Sequence, residues 1–204
     1  MKRFLLLLVF LSQLVFADDS YLIDDSLAMA RQGEFGRASN LIVDLANNGD
    51  SSAQYVLSMY FRDPNALNIP EVGEMWLMRA AENNNAKAQY DLGWRLAAGW
   101  KNDTVEDIVE MIYWFERATF NGSDDAYANL ATLYENEHRN VLLEMEVAAN
   151  NGNAMAQFNL GWINARGLMS SEGLMQDMDV AKAWFEKSAK LGFKDAIEVL
   201  DKNF

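Results

Sequence analysis

The 204 residues carry 30 Asp and Glu against 17 Lys and Arg, a formal net charge of −13. That balance argues against nucleic acid and anionic membrane surfaces as partners, since both repel an acidic protein. There is no cysteine and one histidine, so disulfides, thiol nucleophiles, thiolate metal sites and histidine-based metal clusters are all excluded.

The N-terminus reads as a secretory signal peptide covering residues 1–17. Lys2-Arg3 supplies the charged start, Phe4 to Leu11 is an unbroken apolar run, and Val15-Phe16-Ala17 precedes Asp18-Asp19. The run is shorter than the roughly 20 residues a membrane span needs. The expectation is therefore no membrane insertion after signal cleavage, and a periplasmic or secreted location for residues 18–204. Loss of Lys2 and Arg3 takes the net charge from −13 to −15.

Helices follow in chain order. Tyr21 to Gln32 has Leu22, Ile23, Leu27 and Ala30 as its apolar face, and Gly33 breaks it. Arg37 to Asn47 places Ala38, Leu41, Ile42 and Leu45 at helical spacing and stops at Asn47-Asn48-Gly49. Ser51 to Arg62 and Glu71 to Glu82 form the next pair. Their connection holds Pro64 and Pro70, both prolines of the chain, and should be stiff. Ala86 to Ala98 pairs with Val105 to Phe120, and Asp125 to Glu135 with Asn140 to Asn150. The last pair is joined by a loop from Gly167 to Asp177, and a lone helix from Asp195 to Lys202 ends the chain.

These pairs repeat. The second helices end at Gly49, Asn84, Gly122, Gly152 and Gly192, spacings of 35, 38, 30 and 40. Four residues after each stands an alanine (Ala53, Ala88, Ala126, Ala156, Ala196). Four residues later stands a leucine (Leu57, Leu92, Leu130, Leu160, Leu200). The spacing puts Ala and Leu on one helix face. The next residue is small in the four full units: Ser58, Gly93, Ala131, Gly161. Glycine inside a helix costs roughly 1 kcal/mol against alanine, so its recurrence points to close helix packing. Trp76, Trp114 and Trp184 lie eight residues before their end points and are expected in the core. Glu144 takes that place in the third full unit.

The pattern resembles the Sel-one-like repeat family, a relative of the tetratricopeptide repeats. The residues that carry the resemblance are Ala88-Gln89-Tyr90-Asp91-Leu92-Gly93, Ala156-Gln157-Phe158-Asn159-Leu160-Gly161, and Gly173 to Asp177 followed by Ala181 and Trp184. The resemblance spans about Ser51 to Leu200. It implies an all-α, right-handed superhelical solenoid of about five antiparallel helix pairs plus a C-terminal capping helix. Ser58, Ala131, Glu144 and a short third loop depart from the pattern.

Chemical motifs are nearly absent. His138 lies in a polar turn, where a surface role is expected. Asp124-Asp125 stands at a helix start, where negative charge favours the helix dipole. Asp177 and Asp179 lack the glycine and terminal glutamate of a calcium loop. No catalytic residue, metal or cofactor is expected.

One constellation remains. In tetratricopeptide-like units the first helices line a concave groove, and that geometry places Tyr55, Tyr90 and Phe158 on the groove side. Met59, Trp94 and Trp162 follow one turn later. Such a stripe could hold a protein or peptide partner with its aromatic rings as anchors. The functional expectation is an exported, non-enzymatic scaffold, an adaptor or regulator in the bacterial envelope. The alternatives are a periplasmic immunity protein against a secreted toxin, which a neighbouring toxin gene would mark, and a β-lactam-hydrolysing enzyme. The latter resembles cysteine-rich relatives and is disfavoured by the absence of cysteine. Mass spectrometry of the exported protein should find Asp18 as its first residue; an intact Met1 would refute the signal peptide.

Overall fold

The structure is a computed structural model and describes residues 19–99, 104–134, 141–167 and 176–204; the expected signal peptide, residues 1–17, lies outside them. Among the described residues there are eleven α-helices and no strand. They are α1 (Ser20–Arg31), α2 (Phe35–Asn47), α3 (Ser51–Arg62), α4 (Pro70–Glu82), α5 (Ala86–Gly99), α6 (Val105–Phe120), α7 (Asp124–Tyr134), α8 (Val141–Asn150), α9 (Ala154–Arg166), α10 (Met178–Lys190) and α11 (Lys194–Asn203). The order is five successive pairs and a final helix, as the periodicity implies.

Each repeat position has a physical task. The five end points all adopt positive φ: 97° at Gly49, 65° at Asn84, 93° at Gly122, 89° at Gly152 and 83° at Gly192. That conformation reverses the chain after a helix and favours glycine or asparagine. The next residue caps the following helix. The side chains of Asp50, Asn85, Ser123 and Asn153 accept from the amides of Ala53, Ala88, Ala126 and Ala156 at 2.7, 3.1, 3.2 and 2.9 Å. Those alanines, with Ala196, are fully buried.

The helices fall into two compact units, the first ending at Asn83 and the second starting at Asn84. In the first, Ala38, Ile42, Ala53, Leu57 and Trp76 form the core of α1–α4. Ser26 Oγ donates to the Ala38 carbonyl at 2.9 Å and lies 3.0 Å from the Tyr60 hydroxyl. Pro70 begins α4, where its missing N–H costs nothing. The connection before it is pinned by amides of Leu67 and Ile69 donating to the carbonyls of Tyr60 and Phe61.

The second unit is arranged around α6, whose residues from Ile108 to Glu116 are buried apart from Glu110. Gly93 of α5 is pressed against the Phe115 ring: a Cβ there would stand 2.7 Å from it. Gly161 of α9 meets Phe185 of α10 in the same way, at 2.4 Å. In the other two full units a small side chain at this position coincides with a slimmer residue after the Trp position, Ser58 with Leu77 and Ala131 with Met145.

The fourth pair, α7 and α8, departs from the regular pattern. α7 packs on α6 and α8 packs on α9 and α6, while α7 and α8 touch each other least of the five pairs. Consequently α6 and α9 pack directly against one another. Trp76 and Trp114 are buried as expected, but Trp184 is half-buried, with Lys187 Nζ 3.7 Å from its ring centroid.

Buried glutamines fasten the repeats. Gln54 Nε2 donates to the Ala46 carbonyl and Gln157 Nε2 to the Ala149 carbonyl, both at 2.8 Å. Gln54 Oε1 accepts from Asn83 and Gln89 Oε1 accepts from Asn121, both at 2.9 Å. Gln157 Oε1 is buried without a hydrogen-bond partner. The cause is Leu191, which takes the repeat position of Asn83 and Asn121 in the last pair. Leu191 is 55% exposed and its backbone is close to theirs. Leu191→Asn should therefore supply the missing donor and raise unfolding free energy by about 1 kcal/mol. Urea denaturation of the two proteins reads this directly, and no gain would refute the assignment.

Candidate functional site

The six expected groove residues have different surroundings. Tyr55 and Met59 are half-buried on α3 in the first unit, Met59 against its core. Phe158 is a correction: it is 2% exposed and belongs to the core. Its ring lies 5.2–6.0 Å from those of Tyr113, Phe185 and Phe193. The direct approach of α6 to α9 covers the side that the transferred geometry left open. Trp162 is half-buried. It touches Phe120, Phe158 and Phe185 at 5.3–6.3 Å, and the Arg166 guanidinium lies 5.1 Å from its centroid.

Trp94 is different. It is 53% exposed and stacks on Tyr90 at 6.4 Å with an interplanar angle of 16°. Beside it opens a cleft of about 210 Å³ lined by Trp94, Ala97, Met111, Phe115, Asn129, Thr132 and Leu133. Met111 and Phe115 are buried in α6, and α7 supplies the far wall. Tyr90 is steadied by the Phe115 ring at 5.9 Å and by Asn129 Nδ2, which donates to its hydroxyl at 3.3 Å. Trp94 thus has a supported inner face and a wet outer one. Repeat spacing pointed to Trp94, but the α6 and α7 residues were missed because helix-to-helix distance leaves no mark in a linear pattern.

The family model of the Sel1 repeat matches residues 86–119 and 154–193. These are the stretches of α5–α6 and α9–α10. These two stretches of the chain are Sel1 repeats. Among solved structures it is similar to a Sel1 repeat protein from Oxalobacter formigenes, at 24% identity and a TM-score of 0.43, over 81% of this chain and 66% of that one. It is also similar to a protective antigen present in uropathogenic Escherichia coli strains that displays an SLR fold. There the identity is 27% and the TM-score 0.41, over 79% of this chain and 35% of that one. The chain thus spans just under two thirds of the first and about a third of the second. No curated protein matches it.

The two matched Sel1 repeats meet at a buried ionic cluster. Glu116 of α6 is fully buried, and Arg166 of α9 pairs with its Oε2. The Tyr134 hydroxyl at the end of α7 donates to Oε1 at 3.3 Å. Nearby, Asn159 Nδ2 donates to the Val109 carbonyl at 2.8 Å. The stripe Ile108, Ile112, Glu116 could have flagged a carboxyl on a core face, but Arg166 lies fifty residues on. Burial pushes the Glu116 carboxyl from 4.5 up to about 7, against the opposing pull of Arg166 and the Tyr134 hydroxyl. Burial and the adjacent Glu116 push the Tyr134 hydroxyl up as well.

A raised carboxyl binds its proton more tightly in the folded chain than in the unfolded one. Its contribution is full below about pH 4.5 and is lost as pH rises through about 7. Wild-type stability minus that of Glu116→Gln should therefore fall by roughly 1–3 kcal/mol between those limits. Denaturant unfolding across this range measures it, and a difference that stays flat or rises would contradict the account.

Proposed function

We propose that this Sel1-like chain is an exported, non-enzymatic scaffold, an adaptor or regulator in the bacterial envelope. It binds a protein or peptide partner through the face that carries Trp94. One observation carries the reading: a half-exposed tryptophan on the first helix of a matched repeat, backed by Tyr90 and bordering an apolar cleft. Large exposed aromatic rings with a rigid support are the side chains that dominate binding energy at protein interfaces. Sel1 repeats mediate protein interactions, and their poverty in catalytic side chains fits a scaffold. Export rests on the charged start and apolar run of residues 1–17. No described helix is long and apolar enough to cross a membrane.

The groove expectation narrows accordingly. Phe158 is enclosed, and Trp162 is braced on several sides, so the binding assignment concentrates on Trp94. Trp94→Ala should leave unfolding free energy within about 1 kcal/mol of wild type, as surface substitutions do. Trp114→Ala should cost about 3–5 kcal/mol. Trp94→Ala should also weaken partner binding by at least about 2 kcal/mol. Pull-down from the envelope fraction, followed by titration of the recovered partner, separates the two effects. A Trp94→Ala protein that unfolds as readily as Trp114→Ala, or binds unchanged, refutes this site.

A further inference from the structure

We propose that the Trp94 cleft receives one large apolar side chain from a partner segment whose flanking residues are Lys or Arg. This rests on the reading of the Trp94 face as the binding site and adds the chemistry of its occupant. The size of the cleft restricts its occupant. At about 210 Å³ the cleft falls below the roughly 300–1,000 Å³ typical of sites for whole small molecules. A single anchoring side chain is the occupant of that scale. Its floor is the buried pair Met111 and Phe115, and its rim is the Trp94 ring, so the deepest part of the occupant must be apolar.

Charge around the cleft restricts the flanking residues. α7, which forms one wall, begins with exposed Asp124 and Asp125 and carries no Lys or Arg. Asp125 stands one turn before the lining residue Asn129, on the same helix stripe. α6 opens with Glu106 and Asp107 and continues to Glu110. The Thr104 hydroxyl and amide both donate to Asp107 and hold its carboxyl below the usual carboxylate range, so it stays charged. The basic residue of α6, Arg117, is already engaged by Asp195 at 3.0 Å and by Asn84 at 2.7 Å. Two of the three helices around the cleft, α6 and α7, therefore carry more negative than positive charge, while α5 carries Lys87, Asp91 and Arg95. A second copy of this chain, at −13, or any acidic segment would be repelled. A basic segment would be drawn in and held once its apolar anchor was seated.

The test is selection of a random peptide display library on the full chain, with Trp94→Ala and Asp125→Lys as parallel targets. Both positions are exposed, and circular dichroism confirms that each variant folds. The expected winners are net basic with a single Leu, Met, Phe or Trp anchor. Synthesised singly, they should bind at least about tenfold more weakly to Trp94→Ala, or when their own anchor is Ala. They should bind severalfold more weakly to Asp125→Lys, and more weakly in high salt as well. Winners that depend on Trp94 but are neutral or acidic would overturn the charge assignment while leaving the Trp94 face as a binding site. Winners indifferent to Trp94, or none at all, would overturn both. Self-association in sedimentation that disappears in Trp94→Ala would make a second copy the occupant and refute the proposal.

Discussion

Covering α6 is the constraint on which the second unit depends. From Ile108 to Ala118 this helix is apolar on nearly every side, and a helix of that composition has to be enclosed. α5 encloses one side by glycine contact, with Gly93 admitting the Phe115 ring. α7 covers another. The remaining surface is taken by α8 and by α9, which reaches α6 directly because α7 and α8 do not close on each other. Glu144 stands where three of the other pairs carry Trp76, Trp114 and Trp184 and the first pair carries Leu41. A carboxylate cannot fill an apolar seam without a large desolvation cost, so the pair loses the contact that would hold it shut.

That departure decides which aromatic positions face solvent. Trp94 and Trp162 are equivalent in repeat register, yet one borders an open cleft while the other is hemmed by Phe120, Phe158 and Phe185. Contact with α6 and α10 makes the difference. α9 lies against both, and its ring positions fill the junction. α5 has α7 across from it at a distance that leaves the cleft. The asymmetry between two nominally identical repeats is what turns a generic scaffold into one with a distinguishable surface.

The direct α6–α9 approach also explains the polar groups in the core. Glu116, Arg166, Tyr134 and Asn159 would be costly individually in such surroundings. Arg166 and the Tyr134 hydroxyl engage the Glu116 carboxyl, Asn159 donates to the Val109 carbonyl, and these directional contacts fix the axial register of α6 and α9. Buried ionic groups contribute little net stability, and removing one partner is costly because it strands the other. The buried glutamines act on a smaller scale, tying a helix to the carbonyl end of its predecessor. Among the described residues, two buried side-chain oxygens are left unmatched, Gln157 Oε1 and Asn159 Oδ1, both on α9.

The sequence by itself determined the helix pairs, their end points and the alanines that let helices approach, because these depend on local rules. Positive φ selects Gly or Asn, a side-chain oxygen caps the next helix, and i, i+4 spacing makes a face. It also placed Trp94 one turn after Tyr90 on one helix stripe. Tertiary structure alone decided that Phe158 is enclosed, that Trp184 is half-exposed and that Glu116 finds Arg166. Each outcome depends on which helix lies opposite, and that followed from the opening of a single degenerate pair. A periodic pattern describes what repeats; the open cleft beside Trp94 lies where the repetition fails.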